Sequence, residues 1–102
     1  MAGRLIWSPQ ALDDIEGIAE YIARDSEFYA AVVAQRLFEA PEQLTDFPES
    51  GRIVPEVNDP NIRELFVHDY RLMYEIAGAE VHILTVVHCK RDFDPEMLKS
   101  RE

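Results

Sequence analysis

The chain is poor in the devices that staple small proteins. It holds a single cysteine among 102 residues, so no internal disulfide can form and a reducing compartment suits it. The three histidines, His68, His82 and His88, share no zinc-like spacing with Cys89, and no metal or other cofactor is expected. No apolar run approaches the roughly 18 residues of a membrane span, and MAGRLIWSPQ at the N-terminus lacks the apolar core of a signal peptide. The expectation is a soluble cytoplasmic protein without membrane contact. Basic residues are scarce as well: ten Lys and Arg against twenty Asp and Glu give a net charge of −10. Such a surface repels nucleic acid on average, so direct DNA binding by this chain alone is not expected. The scarcity is uneven, with four Arg against twelve acids in residues 1–61 and six Lys or Arg against eight acids in residues 62–102. Any face that tolerates an anion therefore belongs to the C-terminal part.

Apolar residues are plentiful, at 47%, enough for one core and a single domain over residues 1–102. The densest stretch, Ile62 to His88, reads as three strands in an antiparallel meander joined by two-residue loops, His68-Asp69 and Gly78-Ala79. Gly at the first loop position suits a type II′ turn. The first loop bends the same way only if His68 and Asp69 both accept positive φ. In the last strand Val81, Ile83 and Val87 alternate against Leu84 and Val86, so both faces are apolar and the strand is expected to be central and covered.

Upstream, Arg4 to Trp7 is a short strand that stops at Ser8-Pro9, an N-cap followed by proline at the first helical position. Leu12, Ile15, Ile18, Ala19 and Ile22 then recur at helical spacing and predict one buried stripe to about Arg24. Asp13, Asp14, Glu16 and Glu20 fall outside it, a solvated acidic face rather than a metal site. Ser26 caps a second helix with apolar positions Tyr29, Val32, Val33, Leu37, Phe38 and Leu44, and the short link makes an antiparallel helical hairpin. Pro41 predicts a kink or fresh start. Residues 49–61 read as loop with at most an edge strand at Ile53 and Val54, and Pro95 to about Lys99 as a last helical turn. The fold class is α+β: N-terminal strand, helical hairpin, mainly antiparallel sheet, short C-terminal helix.

Four segments together, WSPQALDDIEGIAEYIARDS, LTDFPESGRIVPE, IRELFVHDYRLMYEI and VHILTVVHCKRDF, resemble toxins of the RelE/ParE superfamily of type II toxin-antitoxin systems, over nearly the whole chain. The resemblance implies that the first strand lies beside the last. It also implies a cognate antitoxin, ParD-like or other, bound in a toxin-antitoxin hetero-oligomer. Two activities compete. RelE-like members are ribosome-dependent mRNA endonucleases that use basic residues on the sheet and a C-terminal tyrosine, and Arg71 and Arg91 match two of the basic positions. Met97 stands where the tyrosine would, and a thioether cannot move the proton of a 2′-hydroxyl. ParE-like members inhibit DNA gyrase by binding and need no such base; the DFPESGRIVPE loop and the IREL start are closer to these.

Each singled-out residue carries two readings. Arg71 makes either a cross-strand ion pair or a target contact. His88 is either a general base or a hydrogen-bonded strand end, so the nuclease candidates are Arg71, His88 and Arg91. Tyr70 and Tyr74 share a face with Leu72 and Ile76, which favours core packing over base stacking. Cys89 beside Lys90 and Arg91 is read as an unreactive thiol. For target binding the expected cations are Lys90, Arg91, Lys99 and Arg101. For the antitoxin, the expected surface is an apolar groove at Tyr21, Phe28, Tyr29 and Val32. Burial must supply that affinity, since a charge of −10 attracts only an unusually basic partner.

Overall fold

The computed structural model describes residues 3–96 and residue 98. Strand β1 (Arg4–Trp7) leads into helix α1 (Pro9–Ala23), followed by α2 (Glu27–Glu39) and 3-10 turns at Ala40–Thr45 and Pro48–Ser50. The sheet is completed by β2 (Arg52–Ile53), β3 (Ile62–Val67), β4 (Tyr70–Ala77) and β5 (Glu80–His88). Strand order is β1-β5-β4-β3-β2, with β1 parallel to β5 and the other pairs antiparallel. The inferred pairing of first and last strands is therefore present. The edge strand sits one residue earlier than expected, and Pro41 does open a fresh 3-10 segment. Of the C-terminal turn, Pro95, Glu96 and Leu98 are 3-10 helical, and Lys99 lies outside the described residues.

Local chemistry explains the boundaries. Ser8 Oγ accepts from Ala11 N and donates to Leu84 O, so one hydroxyl caps α1 and ties it to β5. Ser26 Oγ caps α2 through Tyr29 N. Both hairpin loops carry positive φ at their first residue, 63° at Gly78 and 53° at His68, while Asp69 stays negative. The first loop thus bends with one positive φ instead of the two expected, and a histidine holds that strained position.

The helices cover one face of the sheet. Ala11, Ile15, Val33, Leu37, Leu72, Tyr74, Val81, Ile83 and Val86 form the core between them. The stripe on α1 is Ala11-Ile15-Ile18-Ile22; Leu12, expected inside, is 44% exposed. On α2 the buried residues are Ala30, Val33 and Leu37; Tyr29 stays exposed, and Phe38, also exposed, rests on Trp7 with centroids 5.2 Å apart. The opposite face has its own core of Val54, Ile62, Met73, Leu84, Val87 and Leu98, covered by Val57 and Phe93. Val86 and Val87 have exchanged the faces expected of them. The cause is a register shift: Met73 pairs with Thr85 and Tyr74 with Ile83, so Leu84 is an extra residue and inverts the alternation beyond it. Asp14 pins this irregularity, accepting from Val86 N at 3.0 Å and from the Thr85 hydroxyl. It is a structural acceptor, not part of a solvated face.

Loop 48–60 is fastened to the sheet by buried polar groups. Tyr74 donates its hydroxyl to Pro48 O at 2.6 Å and accepts from Gly51 N at 3.0 Å; burial raises its pKa above that of an ordinary phenol. A Cβ on Gly51 would lie 2.5 Å from Glu64 O and 2.6 Å from the Tyr74 hydroxyl, so glycine is required there.

Candidate functional site

A cleft of about 630 Å³ opens between the helical hairpin and the ends of β4 and β5. From α1 come Asp13, Asp14, Gly17 and Tyr21, and from α2 Tyr29. The β3-β4 loop supplies His68 and Asp69, β4 supplies Tyr70, and the end of β5 supplies His88 and then Arg91. The backbone bond Cys89 N to Asp69 O at 2.7 Å closes the two sheet ends on each other, and Arg91 N to His88 O at 3.0 Å turns the chain back toward the opening. On α1, Asp13, Gly17 and Tyr21 are four residues apart and share a face. The missing side chain at Gly17, around whose Cβ position no atom lies within 4 Å, leaves room between the carboxylate and the ring.

Aromatic contacts order the walls. Tyr70 meets the His88 ring edge-on at 5.3 Å and Tyr29 meets His68 at 6.1 Å. Burial, helped by the charge of Asp69, raises the Tyr70 pKa, so its phenol stays protonated at neutral pH. His88 Nδ1 accepts from Lys90 N at 3.0 Å, which places the ring proton of the neutral form on Nε2. That imidazole therefore presents a donor at Nε2, not the lone pair a base needs. Among the described residues, Arg91 is the sole Lys or Arg lining the cleft, against Asp13, Asp14 and Asp69.

Arg71 is elsewhere, on the opposite face of the sheet and 6% exposed. Its Nε donates to Glu64 at 2.6 Å, and its two terminal nitrogens grip Glu56 at 2.9 and 2.7 Å. Glu64, whose side chain is fully buried, takes a second bond from Arg52 Nε at 2.6 Å. Phe93 packs on the Arg71 guanidinium at 5.6 Å. The Arg71 bonds lower the Glu56 pKa, and the carboxylates raise that of Arg71. Of the two readings of Arg71, the structure shows the ion pair.

The four expected groove residues separate. Tyr21 and Tyr29 line the cleft; Phe28, 80% exposed, and the half-buried Val32 are not among its lining residues. Lys90 and Cys89 are exposed at its margin, and Lys99, Arg101 and Met97 lie outside the described residues. The convergence of Asp13, His68, Asp69 and Tyr70 with His88 and Arg91 was invisible in the sequence, because it depends on how the hairpin sits on the sheet.

Residues 5–93 match the family model described as "ParE toxin of type II toxin-antitoxin system, parDE". Toxin RelE2 of Caulobacter vibrioides is 34% identical over 89 residues, covering 86% of this chain and 97% of that protein. Y4kP of Sinorhizobium fredii is 34% identical over 97 residues, with 93% and 96% covered. Among solved structures, the chromosomal ParDE system of P. aeruginosa superposes with a TM-score of 0.73 at 21% identity, covering 87% of this chain and 98% of that one. Free E. coli RelE, as a double arginine-to-alanine variant, gives 0.69 at 16% identity, covering 99% and 98%. The shared architecture and the family match agree: this chain belongs to the ParE toxin family of type II toxin-antitoxin systems, within the RelE/ParE superfamily.

Proposed function

We propose that this toxin acts by binding a protein target, DNA gyrase by family resemblance, rather than by cutting RNA, and that a cognate antitoxin neutralises it. The observation that carries the reading is the charge of the cleft: one arginine against three aspartates, with Arg71 consumed by Glu56 and Glu64 on the far face. A nuclease acting on a polyanion needs several cations to hold phosphate and a group to take the 2′-hydroxyl proton. Here the Tyr70 phenol stays protonated and His88 offers a donor. By its spacing from Arg91 in the sequence, Met97 falls where the resemblance puts the nuclease tyrosine. The test is expression of the toxin without its antitoxin. Filamentous cells and a DNA-damage response with intact transcripts are expected. Rapid translation arrest with cleaved transcripts would overturn the reading in favour of the endonuclease, and harmless expression of soluble protein would leave a toxin fold that only binds its antitoxin.

A further inference from the structure

We propose that the cleft is the seat of a cationic side chain, arginine or lysine, presented by the antitoxin segment that docks across the helical hairpin. The inference rests on the reading that an antitoxin holds this chain. Three tyrosine rings, Tyr21, Tyr29 and Tyr70, contribute to its walls, with Asp13 and Asp69 exposed beside them. Aromatic faces attract a cation through their quadrupole, guanidinium most often, and a neighbouring carboxylate adds a direct partner. Tyr21 is engaged within the chain by the Arg24 guanidinium at 5.6 Å, so an incoming cation shares that ring and finds Tyr29 and Tyr70 beside it.

Charge selects the occupant. Three carboxylates, Asp13, Asp14 and Asp69, face one Arg91, and that arginine is exposed at the opening. With the histidines neutral the lining carries 3 − 1 = 2 negative charges in excess, on a chain whose net charge is −10. An acidic or phosphorylated segment is repelled; a basic residue flanked by apolar ones is matched. Gly17 sets the depth, because the absent side chain between Asp13 and Tyr21 leaves the entry open to a long side chain. One buried cation also fits a partner held mainly by apolar burial, since a single anchor needs no overall basic charge.

Two measurements decide it. Isotope-labelled toxin is titrated by NMR with N-acetyl-arginine methylamide, and with the glutamine analogue as control. Saturable shifts at Tyr21, Tyr29 and Tyr70 are expected with arginine alone, and are expected to be lost in Asp13→Asn/Asp69→Asn. Calorimetry of the full antitoxin with the same double variant should show affinity reduced about tenfold. Gly17→Leu, at a helical position where a Cβ meets open space, should reduce affinity at least as much, with an unchanged melting temperature as the check that the fold is kept. Equal response to both amides, or antitoxin affinity within about twofold of wild type in both variants, overturns the proposal. If wild-type toxin fails to bind the antitoxin, the parent reading fails instead, and the arginine titration still decides what the cleft takes.

Discussion

Replacing Arg71 by Ala removes the hub of the far-face network and leaves two carboxylates, Glu64 and Glu56, without the guanidinium that neutralises them. The Glu64 side chain has no solvent exposure, and that of Arg71 is 7% exposed. Removing one partner of a buried pair costs about 3–5 kcal/mol, mostly because the abandoned charge stays desolvated. Glu64 retains Arg52, and the Glu56 side chain, one-third exposed, can turn to water, so the low end, about 3 kcal/mol, is expected. For a domain of this size that corresponds to a Tm lower by about 12–24 °C. Thermal unfolding followed by circular dichroism, with a denaturant titration for the free energy, measures it. Arg71→Met/Glu64→Gln should recover part of the loss, because no full charge is then left buried at position 64 and the amide still accepts from Arg52. The reasoning is refuted if Arg71→Ala melts within about 4 °C of wild type yet abolishes toxicity, for then Arg71 serves a target and not the fold.

Four further outcomes follow from the same contacts. Glu56 has a folded pKa below its ordinary value of 4.5, so its contribution is complete above that value and is lost as pH falls through the folded one; Tm should decline below about pH 4.5, and decline less in Glu56→Gln. Tyr74→Phe leaves Pro48 O and Gly51 N unpaired in a buried setting and should cost about 1–3 kcal/mol by denaturant titration. Phe28→Ala, at an 80% exposed site, should leave Tm within about 2 °C while weakening antitoxin binding about tenfold by calorimetry; a parallel loss of stability would show that Phe28 closes the helical hairpin instead. Lys90→Ala/Arg91→Ala should reduce toxicity at unchanged soluble level and unchanged melting temperature, since both side chains are exposed.

Elements defined by local chemistry are legible in the sequence. Ser8-Pro9 and Ser26 start helices because their side chains cap the chain that follows, and Gly78 turns because it alone accepts positive φ freely. What eluded the sequence depends on distant partners. The extra residue at Leu84 reverses Val86 and Val87, and it is held by Ser8 and Asp14, which lie 76 and 72 residues from the β5 atoms they bond. Arg71 alternates as any strand arginine does; only the fold brings Glu56 from 15 residues away and Glu64 from seven. Tyr21 and Tyr29 are legible as groove residues of the helix pair, but their place beside Asp69 and His88 follows from the hairpin meeting the sheet ends. Phe28 and Val32 belong with them to an expected apolar groove on the helix pair, and the sequence does not say which of these residues projects past the end of the sheet.

The measurement that bears most directly on how this toxin acts is supercoiling of relaxed plasmid by purified DNA gyrase, titrated with purified toxin and with the preformed toxin-antitoxin complex. Binding without nuclease chemistry predicts dose-dependent loss of supercoiling by free toxin, none by the complex, and intact messenger RNA when the same preparation is added to translating ribosomes. Full gyrase activity at saturating folded toxin, together with cut messenger RNA, would contradict it.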